Sequence, residues 1–240
     1  MQKRIFLAGA AGAIGRRLCL LLIADGWRVT GTTRSPDKAA VLWDMGVTPV
    51  IVDMYDEAKL QRALVEAAPE IVIHQLTDLP PGLDPARMKD AVGRNARLRQ
   101  IGTRNLVAAA AAAKARRMIV QSIAFAYAPG PKPYGEEAPL NIAARGEPGL
   151  SARGVASMEQ QTLDAPLASV ILRYGKLYGP GTGFDAPAKG GPVHVDAAAD
   201  AARRALARGQ GIYNIAEEDG TVSSGRAAAE LGWSAAFRIG

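Results

Sequence analysis

The run Ile5-Phe6-Leu7-Ala8-Gly9-Ala10-Ala11-Gly12-Ala13-Ile14-Gly15 passes from an apolar β-type stretch through a glycine-rich turn into a helical pattern, and it constrains the fold more than any other feature. Each glycine has a separate physical task in that order. Gly9 permits a sharp turn. Gly12 lets backbone N–H groups approach an anion with no side chain between, and Gly15 lets the helix lie close on the strand. An anion bound there meets the positive end of the helix dipole. The pattern therefore predicts a pyrophosphate cradle at the first strand-to-helix turn of a dinucleotide-binding unit.

The rest of the chain continues the alternation that such a unit needs. Short β-branched runs at 4–8, 28–33, 48–52, 70–75, 117–121 and 169–174 alternate with helical patterns at 12–25, 37–45, 57–67, 85–115 and 157–163. Six buried strands joined by helical crossovers predict an α/β fold, a doubly wound parallel sheet of Rossmann type. Two Gly/Pro-rich segments, 128–150 and 175–192, interrupt the rhythm directly after the fifth and sixth strands. Insertions at the carboxyl ends of strands shape substrate pockets in open α/β sheets, so both are expected beside the ligand. This gives a dinucleotide-binding domain at 1–175, with a loop insertion at about 128–150, and a reduced substrate-binding part at 176–240 packed on it.

At the end of the second strand an acidic residue would bond the ribose hydroxyls of NAD. Here the strand ends Thr32-Thr33-Arg34-Ser35, with no acid. Arg34 is either a solvated arginine or the partner of a 2′-phosphate; in the second case a charge-assisted contact of about 1.5–3 kcal/mol favours NADP by about tenfold to a hundredfold. The absent acid and the present base both point to NADP over NAD. Asp53 ends the third strand, where it either accepts from the adenine amino group or caps a turn. His74 reads as a satisfied core or cofactor-edge histidine, and Asn95 as a buried amide bracing strand ends.

Composition removes several other classes. A single cysteine, Cys19, excludes an intramolecular disulfide and a cysteine-rich zinc module, and two histidines leave little else for a metal site, so no metal is expected. Twenty-nine Lys and Arg against 23 Asp and Glu give +6, yet the pairs Arg16-Arg17, Arg116-Arg117 and Arg203-Arg204 are dispersed, which argues against nucleic acid. No transmembrane or targeting segment is evident, and a cytoplasmic protein with a small-molecule substrate is expected.

Beyond Gly9-x-x-Gly12-x-x-Gly15 the chain carries Asp53, Val72-Ile73-His74-Gln75, Asn95 with Gly102-Thr103-Arg104-Asn105-Leu106, and Leu172-Arg173-Tyr174-Gly175 leading to Tyr178-Gly179-Pro180-Gly181. Val193-His194-Val195-Asp196 and Glu230-Leu231-Gly232-Trp233 follow. Together these resemble the extended short-chain dehydrogenase/reductase superfamily, its NAD-dependent epimerase/dehydratase-like members, over most of the chain. The resemblance implies cofactor contacts from Gly9, Ala11, Gly12, Ala13, Ile14, Gly15, Thr33, Arg34, Asp53, Met54, Gln75, Leu76, Asn95 and Tyr174. It implies a homodimer through the two long helices, and Asp196 as the N-cap of a late helix.

The family's catalytic tyrosine, which exchanges a proton with substrate, and its lysine four residues later are absent. Counting back from Glu159-Gln160 places Ser151 at the tyrosine position and Val155 at the lysine position. The family's serine or threonine corresponds to Ser122, with Ile123 the alternative register. Replacement proton donors are Tyr127 and Tyr134, the latter near Lys132, with Tyr174 and Tyr178 beyond the sixth strand; a phenol near pKa 10 needs a cationic neighbour to serve at pH 7. Only 59 residues follow Gly181, which implies a reduced lid. The expected activity is that of an atypical NAD(P)-dependent oxidoreductase or epimerase/dehydratase-like enzyme on a small carbonyl, alcohol or sugar-type substrate. The alternative is a non-catalytic NADP-binding sensor of the same superfamily.

Overall fold

The computed structural model describes residues 3–80 and 83–240. The elements run β1 (Arg4–Ala8), α1 (Ala13–Ala24), β2 (Arg28–Thr33), α2 (Pro36–Asp44), β3 (Thr48–Ile51), α3 (Glu57–Ala67), β4 (Ile71–His74), α4 (Pro85–Arg97), α5 (Thr103–Ala112), β5 (Arg117–Ile123), α6 (Gly146–Leu163), β6 (Ala168–Tyr174), β7 (Lys176–Tyr178), β8 (Pro192–His194), α7 (Val195–Arg204) and β9 (Gly211–Ile215). The main sheet is parallel in the order β3-β2-β1-β4-β5-β6-β9. Strand order reverses between β1 and β4, so the crevice beyond their carboxyl ends is where a doubly wound sheet binds its ligand. One apolar layer, including Leu18, Leu22, Ile73, Val170 and Leu172, lies under α1 and α7; the other, including Phe6, Leu60, Leu106 and Met118, lies under α3, α5 and α6.

Local chemistry explains most helix starts. Ser35 accepts from the Lys38 N–H with Pro36 in the first turn of α2, and Asp56 accepts from the Lys59 N–H at the start of α3. At α7 the cap is His194, whose Nδ1 accepts from the Asp196 N–H at 3.2 Å, so the expectation of Asp196 as N-cap is corrected by two residues. Asp196 instead sits in the first turn, where its carboxylate faces Arg17 at 3.4 Å and suits the helix dipole.

Three further expectations change. The helix expected at 157–163 begins at Gly146, inside the segment expected to be a loop, because its glycines serve packing: a Cβ on Gly154 would meet Ala96 Cα of α4 at 3.0 Å. The single helix expected at 85–115 is instead α4 and α5 joined through a π-helical turn at Leu98–Gly102. The chain after residue 175 supplies the seventh strand, β9, and a covering helix, α7, in addition to the small β7-β8 ribbon. Among the described residues no helix is long and apolar enough to cross a membrane.

Candidate active site

Two adjoining cavities open at the carboxyl end of the sheet. The first, about 400 Å³, is lined by the glycine turn, Thr33, Arg34, Lys38, Asp53 and Leu76. The second, about 740 Å³, begins at Ala11–Ile14 and extends past Asn95, Tyr174 and Ser151 to the β7 segment.

The turn between them fits an anion by its own sterics. Gly9 has φ +89°, and a Cβ there would meet Gln75 O at 2.6 Å; a Cβ on Gly15 would meet Gly9 O at 2.2 Å, so both glycines are required by the protein itself. Gly12 is different. Its Cβ would lie 3.3 Å from Gly9 O, a tight but tolerable contact, so the bare position keeps room for something outside the chain. Gly12 is the N-cap of α1 and provides no side-chain bond, and no acidic residue occupies the first turn. The free N–H groups and helix dipole therefore face the cavity mouth. Gln75 lines both cavities, and its Oε1 is a buried acceptor with no partner among the described residues.

At the far end of the first cavity Arg34 lies 3.4 Å from Asp78, which also faces Arg94 at 3.7 Å. Lys38, which sequence reasoning passed over, lines both cavities and has no ion pair among the described residues. Thr33 Oγ1 accepts from the Ser35 N–H, and Asp53 Oδ1 accepts from the Tyr55 N–H, its other oxygen having no partner among the described residues. Met54 O accepts from the Asn105 amide, and Asn95 Oδ1 accepts from the Asp78 N–H, bracing the segment after β4. Tyr174 is buried with its hydroxyl accepting from Gln75 Nε2, and burial raises its pKa far above the ordinary phenol value. It therefore keeps its proton at neutral pH and is a weaker acid than an exposed tyrosine.

His74 is fully buried. Its Nδ1 accepts from the Leu76 N–H at 3.2 Å, so Nε2 carries the proton and bonds Thr103 Oγ1 at 3.2 Å. Burial first, then the nearby Arg99 charge, pushes its pKa from 6.5 down to about 4. The folded protein thus holds His74 neutral where the unfolded chain protonates it, so its contribution is complete above pH 6.5 and is lost as pH falls toward 4. At 1.36 kcal/mol per pKa unit this is about 3 kcal/mol. Denaturant titrations from pH 7 to pH 4 are expected to show that slope in the wild type and a flatter one in His74→Gln; equal slopes would exclude His74 as the source.

The expected proton donors are distributed unevenly. Ser122 lies on the cavity wall, but its hydroxyl donates to Glu159 Oε1 at 2.6 Å. Glu159 in turn forms a buried ion pair with Arg173, at 2.7 and 2.9 Å. Tyr127 and Tyr134 line neither cavity. They stack at 5.1 Å in a small cluster with Ala216 and Val222, held by bridges from Tyr127 to Leu140 and from Tyr134 to Val222. Tyr127 donates to Asn214 and accepts from Arg173, yet burial outweighs that cation and raises its pKa. Tyr134 Oη accepts from the Gly130 N–H, and Tyr178 donates to Glu217. Of the two insertions, 175–192 lines the second cavity through Lys176, Leu177, Thr182 and Phe184; among the described residues 128–150 does not reach it. That insertion packs on the C-terminal strands instead.

Ser151 faces the second cavity from α6, while Val155 is buried in the core. Ser151 Oγ accepts at 3.1 Å from Arg99, a residue in the π-helical turn that no sequence motif marked. Among the described residues no three His, Cys, Asp or Glu side chains converge to hold a metal. Cys19 is buried, and burial lifts its thiol to about 12.

Comparison with known proteins fits this geometry. The profile of the NAD(P)H-binding family matches residues 9–208. A Streptomyces 3-diazoavenalumate denitrifying reductase is 43% identical over 184 residues, which cover 75% of this chain and 58% of that protein. The chain thus spans less than two thirds of that relative's length. Among solved structures, the Thermotoga maritima UDP-glucose 4-epimerase with UDP-glucose superposes at a TM-score of 0.77 and 18% identity, covering 96% of this chain and 93% of that one. The Thermus thermophilus UDP-glucose 4-epimerase in complex with NAD superposes at 0.71 and 22% identity, covering 96% and 84%.

Proposed function

From the premise that the chain belongs to the NAD(P)H-binding family and has the extended short-chain dehydrogenase/reductase fold, we propose an NADPH-dependent reductase whose acceptor needs no enzyme-supplied proton on oxygen. The observation that carries this reading is the second cavity's wall: Ser151, which the resemblance sets at the family's tyrosine position, lines it, and Val155, set at the lysine position, is buried away from it. The phenols considered as substitutes either lie away from the cavity or are raised in pKa by burial. A positioned general acid contributes about 10²- to 10⁴-fold, so a carbonyl reductase built this way would be severely handicapped.

Gly9, Ala11, Gly12, Ala13 and Ile14 hold the pyrophosphate in this reading, with Gly15 closing the helix onto the strand. Thr33, Asp53, Met54 and Leu76 surround the adenosine end, and Gln75, Asn95 and Tyr174 lead toward the nicotinamide. Arg34 and Lys38 supply the positive charge for a 2′-phosphate, because no acid ends β2 and Asp78 is already flanked by two arginines.

A diazo acceptor suits such a site. When bound, the reduced nicotinamide supplies a hydride, whose net transfer to an arene diazonium forms C–H as the C–N bond breaks and dinitrogen leaves with its electron pair. No alkoxide develops, so no tyrosine is required. The name of the Streptomyces relative, a denitrifying reductase of a diazo compound, supports the same acceptor class.

The test offers NADPH with a diazophenol carboxylic acid or with a ketone of matched shape, following cofactor absorbance and product mass. The expected result is oxidation of NADPH with the diazo acid alone, and deuterium from labelled NADPH at the carbon that lost nitrogen. Equal or faster turnover of the ketone would overturn the proposal. NADPH binding with neither acceptor reduced would favour the non-catalytic sensor.

A further inference from the structure

Two arginines are buried to a similar degree beside α6, and they are treated very differently. Arg173 is 4% exposed and fully engaged: both carboxylate oxygens of Glu159, the Tyr127 hydroxyl and Glu136 O accept from it. Arg99 is 8% exposed, yet among the described residues its guanidinium bonds Ser151 alone, at 3.1 Å to Oγ and 3.5 Å to the carbonyl, both through Nη1. Among the described residues no carboxylate lies within ion-pair distance of it. Buried charges are normally paired, and an arginine presents five donors in a planar fork that matches a carboxylate. Three of Arg99's five donors have no partner among the described residues.

The position of this arginine is also particular. It lies in the Leu98–Gly102 π-helical turn, a wider turn of the type that recurs at functional sites, and it lines the 740 Å³ cavity next to Ser151. That cavity contains Arg16, Lys38, Arg99 and Lys176 and no Asp or Glu among the described residues. Arg16 and Lys38 lie in the first turns of α1 and α2, at the cofactor end, and Lys176 donates to Lys189 O at 2.7 Å. Arg99 shares this cavity's lining with Met88, Val92, Phe125 and Phe184, which offer an apolar surround for a flat hydrocarbon body. Its pKa, lowered by burial to about 10, still leaves it charged at neutral pH.

We infer that Arg99, steadied by Ser151, is the anchor for a substrate carboxylate, so that the enzyme takes planar aryl or enoic acids and rejects their neutral counterparts. The inference rests on the reductase reading and deepens it by naming the substrate class. A charge-assisted bidentate contact predicts that the acid binds about tenfold to a hundredfold more tightly than its amide.

The test uses the full chain saturated with NADP and measures calorimetric binding of cinnamate and cinnamamide, inert probes that require no turnover. Wild type should prefer the acid, Arg99→Met should bind both alike, and Arg99→Lys should keep part of the preference. NADPH affinity should be unchanged in Arg99→Met, since an anchor for cofactor phosphate would weaken it. The melting temperature of Arg99→Met should hold or rise, because an unpaired buried charge is removed. Equal binding of acid and amide by wild type, which needs no variant, would overturn the inference, as would an acid preference that survives Arg99→Met. A fall in melting temperature would make Arg99 a structural brace and overturn it too. Acid binding through Arg99 without reduction of any acceptor would fail the reductase reading and leave the anchor standing.

Discussion

Gly12→Asp is expected to abolish stabilisation by NADPH while leaving the fold intact. Of the three turn glycines this is the one whose substitution reports on a ligand, because a Cβ at Gly9 or Gly15 collides with the chain's own carbonyls at 2.6 and 2.2 Å, whereas at Gly12 the contact is 3.3 Å. The new carboxylate would sit at the uncapped start of α1 and favour the helix dipole by about 0.3–1 kcal/mol. The ligand-free melting temperature should therefore hold or rise slightly. The same carboxylate would occupy the pyrophosphate's place with the wrong sign. Saturation at 100 times the dissociation constant adds about 2.7 kcal/mol. At about 2–4 °C per kcal/mol for a domain of this size, wild type should gain about 5–10 °C with NADPH and the variant nothing. In the same thermal-shift series Arg34→Ala should reduce the lead of NADPH over NADH by about tenfold to a hundredfold in affinity. A full NADPH shift in Gly12→Asp would remove the glycine turn as the cofactor cradle, and an unaltered lead in Arg34→Ala would assign 2′-phosphate recognition to Lys38 alone.

The features legible in the sequence are those set by neighbours along the chain. The first strand, turn and helix announce themselves because Gly12 and Gly15 serve geometry within a few residues, and apolar runs such as Ile71–His74 carry their burial on their own side chains. Where a residue's reason lies across the fold, the same composition misleads. Gly149 and Pro148 look like loop residues, yet Pro148 falls in the first turn of α6, where its missing N–H costs nothing, and Gly154 exists to admit Ala96 of α4. The π-helical turn leaves no compositional mark, since Leu98-Arg99-Gln100-Ile101-Gly102 has ordinary helix formers apart from its glycine. Arg99 is consequently invisible until α6 brings Ser151 to it. Tyr127, just beyond the fifth strand, and Tyr134, in the insertion near Lys132, read as proton donors from sequence position, but Arg173 and Asn214 take up the Tyr127 hydroxyl and the Gly130 N–H that of Tyr134, away from both cavities.

The largest loss of stability is expected from Arg173→Met. Arg173 lies on β6, Glu159 on α6 and Ser122 on β5, so their bonds tie two adjacent strands to the helix that carries Ser151. Removing the arginine leaves Glu159, 4% exposed, with the Ser122 hydroxyl as its remaining side-chain hydrogen-bond partner among the described residues. Breaking one side of a buried pair costs about 3–5 kcal/mol, since the orphaned charge keeps its desolvation penalty. This corresponds to a fall of about 6–20 °C in melting temperature at about 2–4 °C per kcal/mol. Replacing both members, Glu159→Leu with Arg173→Met, removes the orphan and should recover most of the loss, because buried pairs exchanged for apolar groups are often near neutral. Recovery should stop about 1–3 kcal/mol short, the cost of leaving the buried Ser122 hydroxyl without its acceptor. Denaturant melts of the two single variants and the double variant close the cycle and give the coupling directly. A single Arg173→Met variant within 1 kcal/mol of wild type would mean that Glu159 takes up a proton or finds water, and that α6 is held to the sheet by packing alone. If the cost is as large as expected, the two buried arginines divide cleanly: one is paired and holds the cavity wall in place, and the other is left unpaired in that wall for a ligand to satisfy.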